Sequence, residues 1–337
     1  MTVTEILKEL CNVDQTQRKN KIIELLPKDI KINITPLGTI QAVFDGKDSQ
    51  SILLDAHMDT IHFVVTDIIE NGFLKVAPCG GADCRVLAGA EVTVCGKELL
   101  YGVFTIMPPH LKRSSDSNAV VVEDMAVDLG YSLEQVRELV AVGDVVTFKP
   151  QSLLLLNNRL VSSGIDNLAG VATLIVLAYQ LKLEPMEKTV VLQFSVLEET
   201  GHRYSGGVTG AFTVQPQEAL VVDASFAKYP GLRYATPGEL GNGVMIGHSP
   251  MLSSVLSCGL KTLANEKDLP YTCEVMGGAS GTNADGIVGV GNGIPTALVS
   301  YPIKNMHTGV EMVDSEDLQS LLSLLFAYCK KGGLLHE

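Results

Sequence analysis

The sequence predicts an α/β fold, a three-layer α/β/α domain interrupted by a β-barrel-like insertion. Three observations carry this. Short, mostly apolar runs such as SILLDA (51–56), VVLQFSVL (190–197) and ALVV (219–222) suit strands buried on both faces of a sheet. Beyond residue 160 such runs alternate with helical stretches, the pattern of helices layered on a sheet. Between residues 62 and 151 the texture changes to β-rich pieces broken by Gly, Pro and Asp, as in a small barrel.

Taken in order, residues 3–26 predict one or two short helices, with Leu7, Leu10, Ile22, Leu25 and Leu26 forming an apolar stripe. Strands follow at 31–35 and 40–44, separated by the turn Pro36-Leu37-Gly38. The strand at 51–56 stops at His57-Met58-Asp59. Inside the insertion, strands are predicted at 63–69, 73–77, 92–95, 99–106 and 144–148, with a helix at 133–141. After it come a strong helix at 167–181, a strand at 189–197 and a strand at 219–222. Helices at 250–264 and 314–330 and strands at 271–275 and 296–300 complete the chain. The expected division is 1–61 and 152–337 for the layered domain, with 62–151 inserted.

Hydrophobic residues make up 46 % of the 337 and charged residues 19 %, enough to bury a sizeable core and too apolar for bulk disorder. The net charge of −13 argues against nucleic acid and anionic membrane as partners. Seven scattered cysteines without a CxxC pair suit reduced thiols. The N-terminus lacks a signal-like apolar core, and no run reaches the ~18 apolar residues of a bilayer span. A soluble, cytoplasmic protein is expected.

Ionisable residues fall at telling places. His57 and Asp59 follow one strand, Glu198 and Glu199 end another, Asp223 ends a third, and His307 lies past a fourth; Asp166 precedes a helix. In open α/β sheets the crevice at the carboxyl ends of the strands is where ligands bind. Each residue has a plainer alternative: a hydrogen-bonded His–Asp pair, a helix cap for Asp166, a solvated Glu-Glu surface pair. Those alternatives do not explain the conjunction on one rim. Carboxylates this close need a counter-cation, and two divalent ions would neutralise the set.

On this evidence the chain resembles the tetrahedral aminopeptidases, the di-metal glutamyl or deblocking exopeptidases. The matching stretches are AHMDTIHFVV (56–65), SSGIDNLAGVATL (162–174), VLEETGHR (196–203), VVDASFA (221–227) and GIPTALVSYPIKNMHTGVEMV (293–313). YGVFTIMPPHL (101–111) and the run 125–148 resemble the inserted domain of that family, so the likeness covers nearly the whole chain. It implies that Asp166 bridges two metals, that His57 and Asp223 complete one site, and that Glu199 and His307 complete the other. Glu198 would be the general base, acting on a metal-bridging water, and Asp59 would orient His57. A cis peptide is implied between Asp166 and Asn167. Histidine and carboxylate ligands without cysteine suit Zn²⁺, Co²⁺ or Mn²⁺. The resemblance further implies short peptides as substrates and self-association, through the insertion, into a dodecameric tetrahedral shell.

Some positions depart from that family's pattern. His62 stands where a glycine is usual, Lys304-Asn305 precede His307, an acid is displaced to Asp285 in Thr282-Asn283-Ala284-Asp285, and Tyr204-Ser205 extend the Glu-Glu motif. A surface or packing role is expected for His62. The glycine-rich stretch 277–281 is expected to be a mobile or substrate-lining loop, and VGVGNGIP (288–295) precedes a strand, which argues against a phosphate loop. The rival readings are another di-metal amide hydrolase, such as a deacylase or carboxypeptidase, a carboxylate-only glycosidase, and a non-catalytic shell protein.

Overall fold

The structure is a computed structural model that describes residues 1–105, 107, 109–111, 121–201 and 204–335. Ile106, the end of one predicted strand, and His202-Arg203, the close of the Glu-Glu motif, lie outside the described residues.

The strands in chain order are β1 (Lys31–Ile34), β2 (Ile40–Phe44), β3 (Gly46–His57), β4 (His62–Ile68), β5 (Leu74–Cys79) and β6 (Glu91–Cys95). They continue with β7 (Leu99–Thr105), β8 (Ala126–Asp128), β9 (Val145–Phe148), β10 (Leu153–Leu154), β11 (Arg159–Ser162) and β12 (Met186–Ser195). The last are β13 (Glu218–Phe226), β14 (Val244–His248), β15 (Tyr271–Val275), β16 (Thr296–Lys304) and β17 (Glu311–Asp314). The helices are α1 (Val3–Cys11), α2 (Gln15–Leu25), α3 (Leu133–Leu139), α4 (Ile165–Lys182), α5 (Glu198–Gly201), α6 (Gly206–Val214), α7 (Ser254–Glu266), α8 (Ala284–Ile287) and α9 (Ser315–Lys330).

One sheet of 11 strands runs in the order β1-β2-β12-β3-β13-β16-β17-β11-β10, with β14 and β15 branching from β16. Its centre, β12-β3-β13-β16, is parallel throughout. The carboxyl ends of these four strands therefore share one edge. In the register, Ser195 lies opposite His57, Val221 opposite Asp55 and Asp223 opposite Ser300. Continuing β13 two residues past Val221 sets Asp223 level with His57.

Both faces of this centre are dry, which is why its strands read as apolar runs. Along β3, Ile52, Leu54 and Ala56 face the larger core, which includes buried residues of α1, α4, α7 and α9. Leu53 points the other way, to a smaller core with Ala211 of α6 and Ala284 and Ile287 of α8. The period of two along one strand thus serves two layers. The helix α6 is absent from the sequence reading, because Gly206, Gly207 and Gly210 weigh against a helix. Close approach explains them. A Cβ on Gly210 would stand 2.1 Å from Gln193 Oε1, and one on Gly207 2.5 Å from Asn283 Nδ2.

The strands β4-β5-β8-β7-β6-β9 close a six-stranded barrel. Phe63 centres its core, meeting Phe104 and Phe148 edge-on at centroid distances of 5.0 and 5.9 Å. A capping box between Ser132 and Gln135 starts α3. Among the described residues, no helix is long and apolar enough to cross a membrane.

Candidate metal centre and the family of the chain

All seven residues singled out in the sequence meet at the carboxyl edge of the parallel strands. His57 ends β3, and its Nδ1 lies 2.9 Å from the Asp59 main-chain carbonyl. A carbonyl only accepts, so Nδ1 carries a proton, and Nε2, the nitrogen that offers a lone pair once the ring is neutral, faces the cluster. That Nε2 is 3.2 Å from Asp166 Oδ1, 3.4 Å from Asp223 Oδ1 and 3.8 Å from Glu198 Oε2. His307 repeats the arrangement: its Nδ1 donates to the Gly81 carbonyl at 3.1 Å. Its Nε2 is 3.4 Å from both Asp166 Oδ2 and Glu199 Oε2.

Asp166 is shared. One oxygen faces the His57 set and the other the His307 set: ligand atoms gather as His57, Asp166 and Asp223 and as Asp166, Glu199 and His307, and a third, overlapping group joins His57 with Glu198 and Glu199. Asp166 Oδ1 is buried, with His57 Nε2 at 3.2 Å and no well-formed hydrogen bond among the described residues. A buried carboxylate oxygen in that position needs a positive partner. The peptide between Asp166 and Asn167 is cis. Asn167 is anchored by Nδ2 to the Val222 carbonyl at 2.7 Å and by Oδ1 to the Tyr301 hydroxyl at 2.9 Å.

The Asp59 side chain turns from His57 to the neighbouring strand end. Its Oδ1 is 3.8 Å from His57 Nδ1, while its two oxygens accept the amides of Glu198 and Glu199 at 3.2 and 3.1 Å. Leu197, just before them, has a φ of 62°, a left-handed elbow that presents Glu198 and Glu199 in succession.

Electrostatics follow from packing acids into a dry crevice. Burial, together with Asp223, Asp166 and Glu199 and against the pull of His57, pushes the Glu198 carboxyl up to about 9. Burial and then Asp166 raise Glu199 to about 8. Burial lifts Asp223 to about 6 although His57 opposes it. For His307, burial is outweighed by Asp166 and Glu199, which raise the ring to about 9. Burial is likewise outweighed at Asp166 by His307 and His57, which hold that carboxyl below its usual range. The cluster is poised to exchange protons for cations.

A sequence profile of the M42 glutamyl aminopeptidases matches residues 38–324. The chain belongs to this family. It is 28 % identical over 313 residues to a lysyl aminopeptidase of Pyrococcus furiosus, spanning 91 % of this chain and 89 % of that one. It is 24 % identical over 323 residues to a glutamyl aminopeptidase of Lactococcus lactis, spanning 88 % of each. Among solved structures it is similar to the Pyrococcus horikoshii TET1 peptidase, which can assemble into a tetrahedron or a large octahedral shell. The TM-score is 0.85 at 28 % identity, over 97 % of this chain and 99 % of that one. A TET aminopeptidase from a marine-sediment thaumarchaeon shares the fold with a TM-score of 0.90 at 24 % identity, over 98 % and 97 % of the two chains. The protein is thus a hydrolase of an aminopeptidase family, on the fold of the TET aminopeptidases.

Two parts of this M42 site escape sequence reasoning. Glu311 is buried beneath the cluster, where Oε1 accepts the His307 amide at 2.7 Å and Oε2 the Asp166 amide at 3.0 Å. Its only signal in the sequence is an acid set between Val310 and Met312-Val313. Below the parallel strands runs a buried polar chain. Asp55 accepts from Gln193 Nε2 at 2.9 Å and from Asn283 Nδ2 at 2.8 Å, and Gln193 Oε1 accepts from Gln41 at 2.8 Å. Asn283 thus belongs to the support of the strand ends. Asp285 ties down the glycine-rich loop by accepting the amides of Ser280 and Gly281, each at 2.8 Å. His62 lies apart, with Nδ1 3.0 Å from the Thr60 carbonyl.

Proposed function

We propose that the protein is a metal-dependent aminopeptidase that uses two divalent cations to release N-terminal residues from short peptides. The observation that carries this reading is Asp166, whose two oxygens face two different histidine–carboxylate sets. In this reading Asp166 bridges, His57 and Asp223 complete one site, and Glu199 and His307 complete the other. Nitrogen and carboxylate donors without thiolate suit Zn²⁺, Co²⁺ or Mn²⁺. Both histidines already commit Nδ1 to a carbonyl, so Nε2 is free to ligate.

When bound, such a pair of cations acidifies a water and polarises the scissile carbonyl. Glu198 supplies the proton transfer. Its Oε2 stands 3.8 Å from His57 Nε2, farther than the oxygens of Asp166 and Asp223 at 3.2 and 3.4 Å. Its oxygen takes the proton of the attacking water and delivers it to the departing amine nitrogen. Asp59 fixes this base relative to its neighbour, because one carboxylate holds both the Glu198 and Glu199 amides. The acidic rim favours a substrate carrying a free ammonium terminus, which restricts cleavage to the chain end.

Residues 1–61 and 152–337 form the catalytic unit in this reading, and 62–151 the insertion that carries subunit contacts in a dodecameric tetrahedral shell. Seven free cysteines fit a reducing cytosol as the compartment.

The test is a panel of glutamyl, lysyl and leucyl chromogenic amides offered to the full chain after chelation and after reloading with Zn²⁺, Co²⁺ or Mn²⁺. Elemental analysis runs alongside. Cleavage restored by metal, with two cations bound per chain, is expected. Cleavage that survives chelation removes the metal from the mechanism. Hydrolysis of N-acylated substrates alone makes the protein a deacylase. Two bound cations with no release from any substrate would leave a binding protein.

A further inference from the structure

The two halves of the cluster are supported differently. The tethers of His57 and Asp223 come from the sheet: Nδ1 of His57 bonds the Asp59 carbonyl, and Asp223 Oδ1 accepts the Ala224 amide at 2.8 Å. The other half is framed from two sides. Beneath it lies Glu311, only 1 % exposed, with each oxygen holding the backbone of one candidate ligand, His307 at 2.7 Å and Asp166 at 3.0 Å. Above it lies the Gly80-Gly81 turn, which leaves strand β5 of the barrel. The Gly81 carbonyl holds His307 Nδ1 at 3.1 Å. A Cβ on Gly81 would come within 3.0 Å of that same nitrogen, and one on Gly80 within 3.4 Å of Glu199 Oε2. The barrel therefore packs against both Glu199 and His307.

His307 itself has a φ of 62°. A β-carbon-bearing residue in the left-handed region persists only where its surroundings specify it. The Glu311 bond to its amide and the Gly81 bond to its ring are those surroundings.

We propose that the Gly81 carbonyl is a positioning group for one cation site, the Glu199–His307 site, which is consequently built across the sheet domain and the barrel, while Glu311 positions His307 together with the shared Asp166. This rests on the two-cation reading above. Glu311 sets the backbone of His307 against that of Asp166. Gly81 fixes the ring tautomer, so that Nε2 presents its lone pair. Among the described residues, the tethers of His57 and Asp223 come from outside the barrel. The two cations therefore differ in what holds them, and a change in the Gly80-Gly81 turn weakens one and spares the other.

The experiment is a two-site Co²⁺ titration of the full chain by calorimetry, with the visible spectrum of the bound ion recorded at each step. Gly81→Ala is the main variant. Gly81 is exposed and its φ is not left-handed, so the substitution leaves folding intact while its methyl crowds His307. Glu311→Gln is the second, since it puts an amide donor against one of two backbone donors. Asp317→Asn is the control for buried-carboxylate loss: Asp317 also accepts two amides, from Gly241 and Gly243 at 2.8 and 2.7 Å, away from the cluster. Loss of a residue that orients a ligand typically lowers metal affinity about 10–100-fold. That fall is expected for one of the two Co²⁺ ions in Gly81→Ala, with a changed spectrum for that ion alone, for both ions in Glu311→Gln, which also releases the shared Asp166, and for neither in Asp317→Asn. Unchanged isotherms in Gly81→Ala overturn the proposal, as does an equal fall at both sites in that variant or the same loss in Asp317→Asn. Should the unmodified chain bind no Co²⁺ at all, the two-cation reading itself fails, an outcome distinct from unchanged variants of a chain that binds two.

Discussion

Replacing Glu198 by Gln separates the proton-transfer role from the cation-binding role more cleanly than any other single change. The two side chains have nearly the same shape, and the Glu198 amide remains held by Asp59 Oδ1 at 3.2 Å. Glu198 stands 3.8 Å from His57 Nε2, whereas Asp166 and Asp223 stand at 3.2 and 3.4 Å, so the cations lose none of their nearer donors. What disappears is a carboxylate able to accept a proton. General acid–base catalysis is worth about 10²–10⁴ in rate, equivalent to about 2.7–5.4 kcal/mol on the barrier at about 1.36 kcal/mol per decade. Turnover of an aminoacyl chromogenic amide should fall by that factor, with KM little changed and two cations still bound by elemental analysis. Turnover within a few-fold of the unmodified protein refutes Glu198 as the base. Loss of the cations along with turnover refutes the reasoning differently, by making Glu198 a ligand.

Three further outcomes follow from the same geometry. Asp166→Asn should bring metal content from two cations per chain to below one, because both groups of donors lose the shared oxygen pair; retention of two would show that Asp166 does not bridge. For the chelated protein, Glu198 near 9, Glu199 near 8 and His307 near 9 all lie above their unfolded values. The folded state therefore holds protons that the unfolded state releases, so the contribution of these three groups is full below their unfolded values and is lost as pH rises through the folded ones. Its melting temperature should drop from about pH 6 to about pH 9 and the drop should vanish with saturating cation, whose affinity rises over the same range; a flat melting profile contradicts this assignment of protons. Phe63→Ala removes the ring that Phe104 and Phe148 pack against and should cost about 3–5 kcal/mol in chemical denaturation; a loss under about 1 kcal/mol would mean the barrel core is not built on it.

Much of the layered fold is legible in the chain because burial leaves a local mark. A strand buried on both faces is mostly apolar, with polar residues such as Asp55 and Gln193 tolerated where they pair with each other, so 51–56, 190–197 and 219–222 declare themselves, and so does the ionisable residue that follows each run. Parallel strands end on one edge, which is why His57, Glu198, Glu199, Asp223 and His307 can be assigned to a common rim from order alone. The helix α6 is illegible for the opposite reason. Its glycines answer to Gln193 and Asn283, which contact it only after the chain has closed.

Residue type and hydrophobic period are properties of short segments, so the set of chemical groups and the sheet edge to which they belong can be read along the chain. How those groups are held is set by contacts between distant segments. Asp59 caps the strand end carrying Glu198 across 139 positions, Glu311 spans 145 to reach Asp166, and Gly81 reaches His307 across 226. A hydrogen bond between segments so far apart leaves no periodicity in either one. It exists only once the sheet register and the seating of the barrel have brought donor and acceptor within about 3 Å of each other.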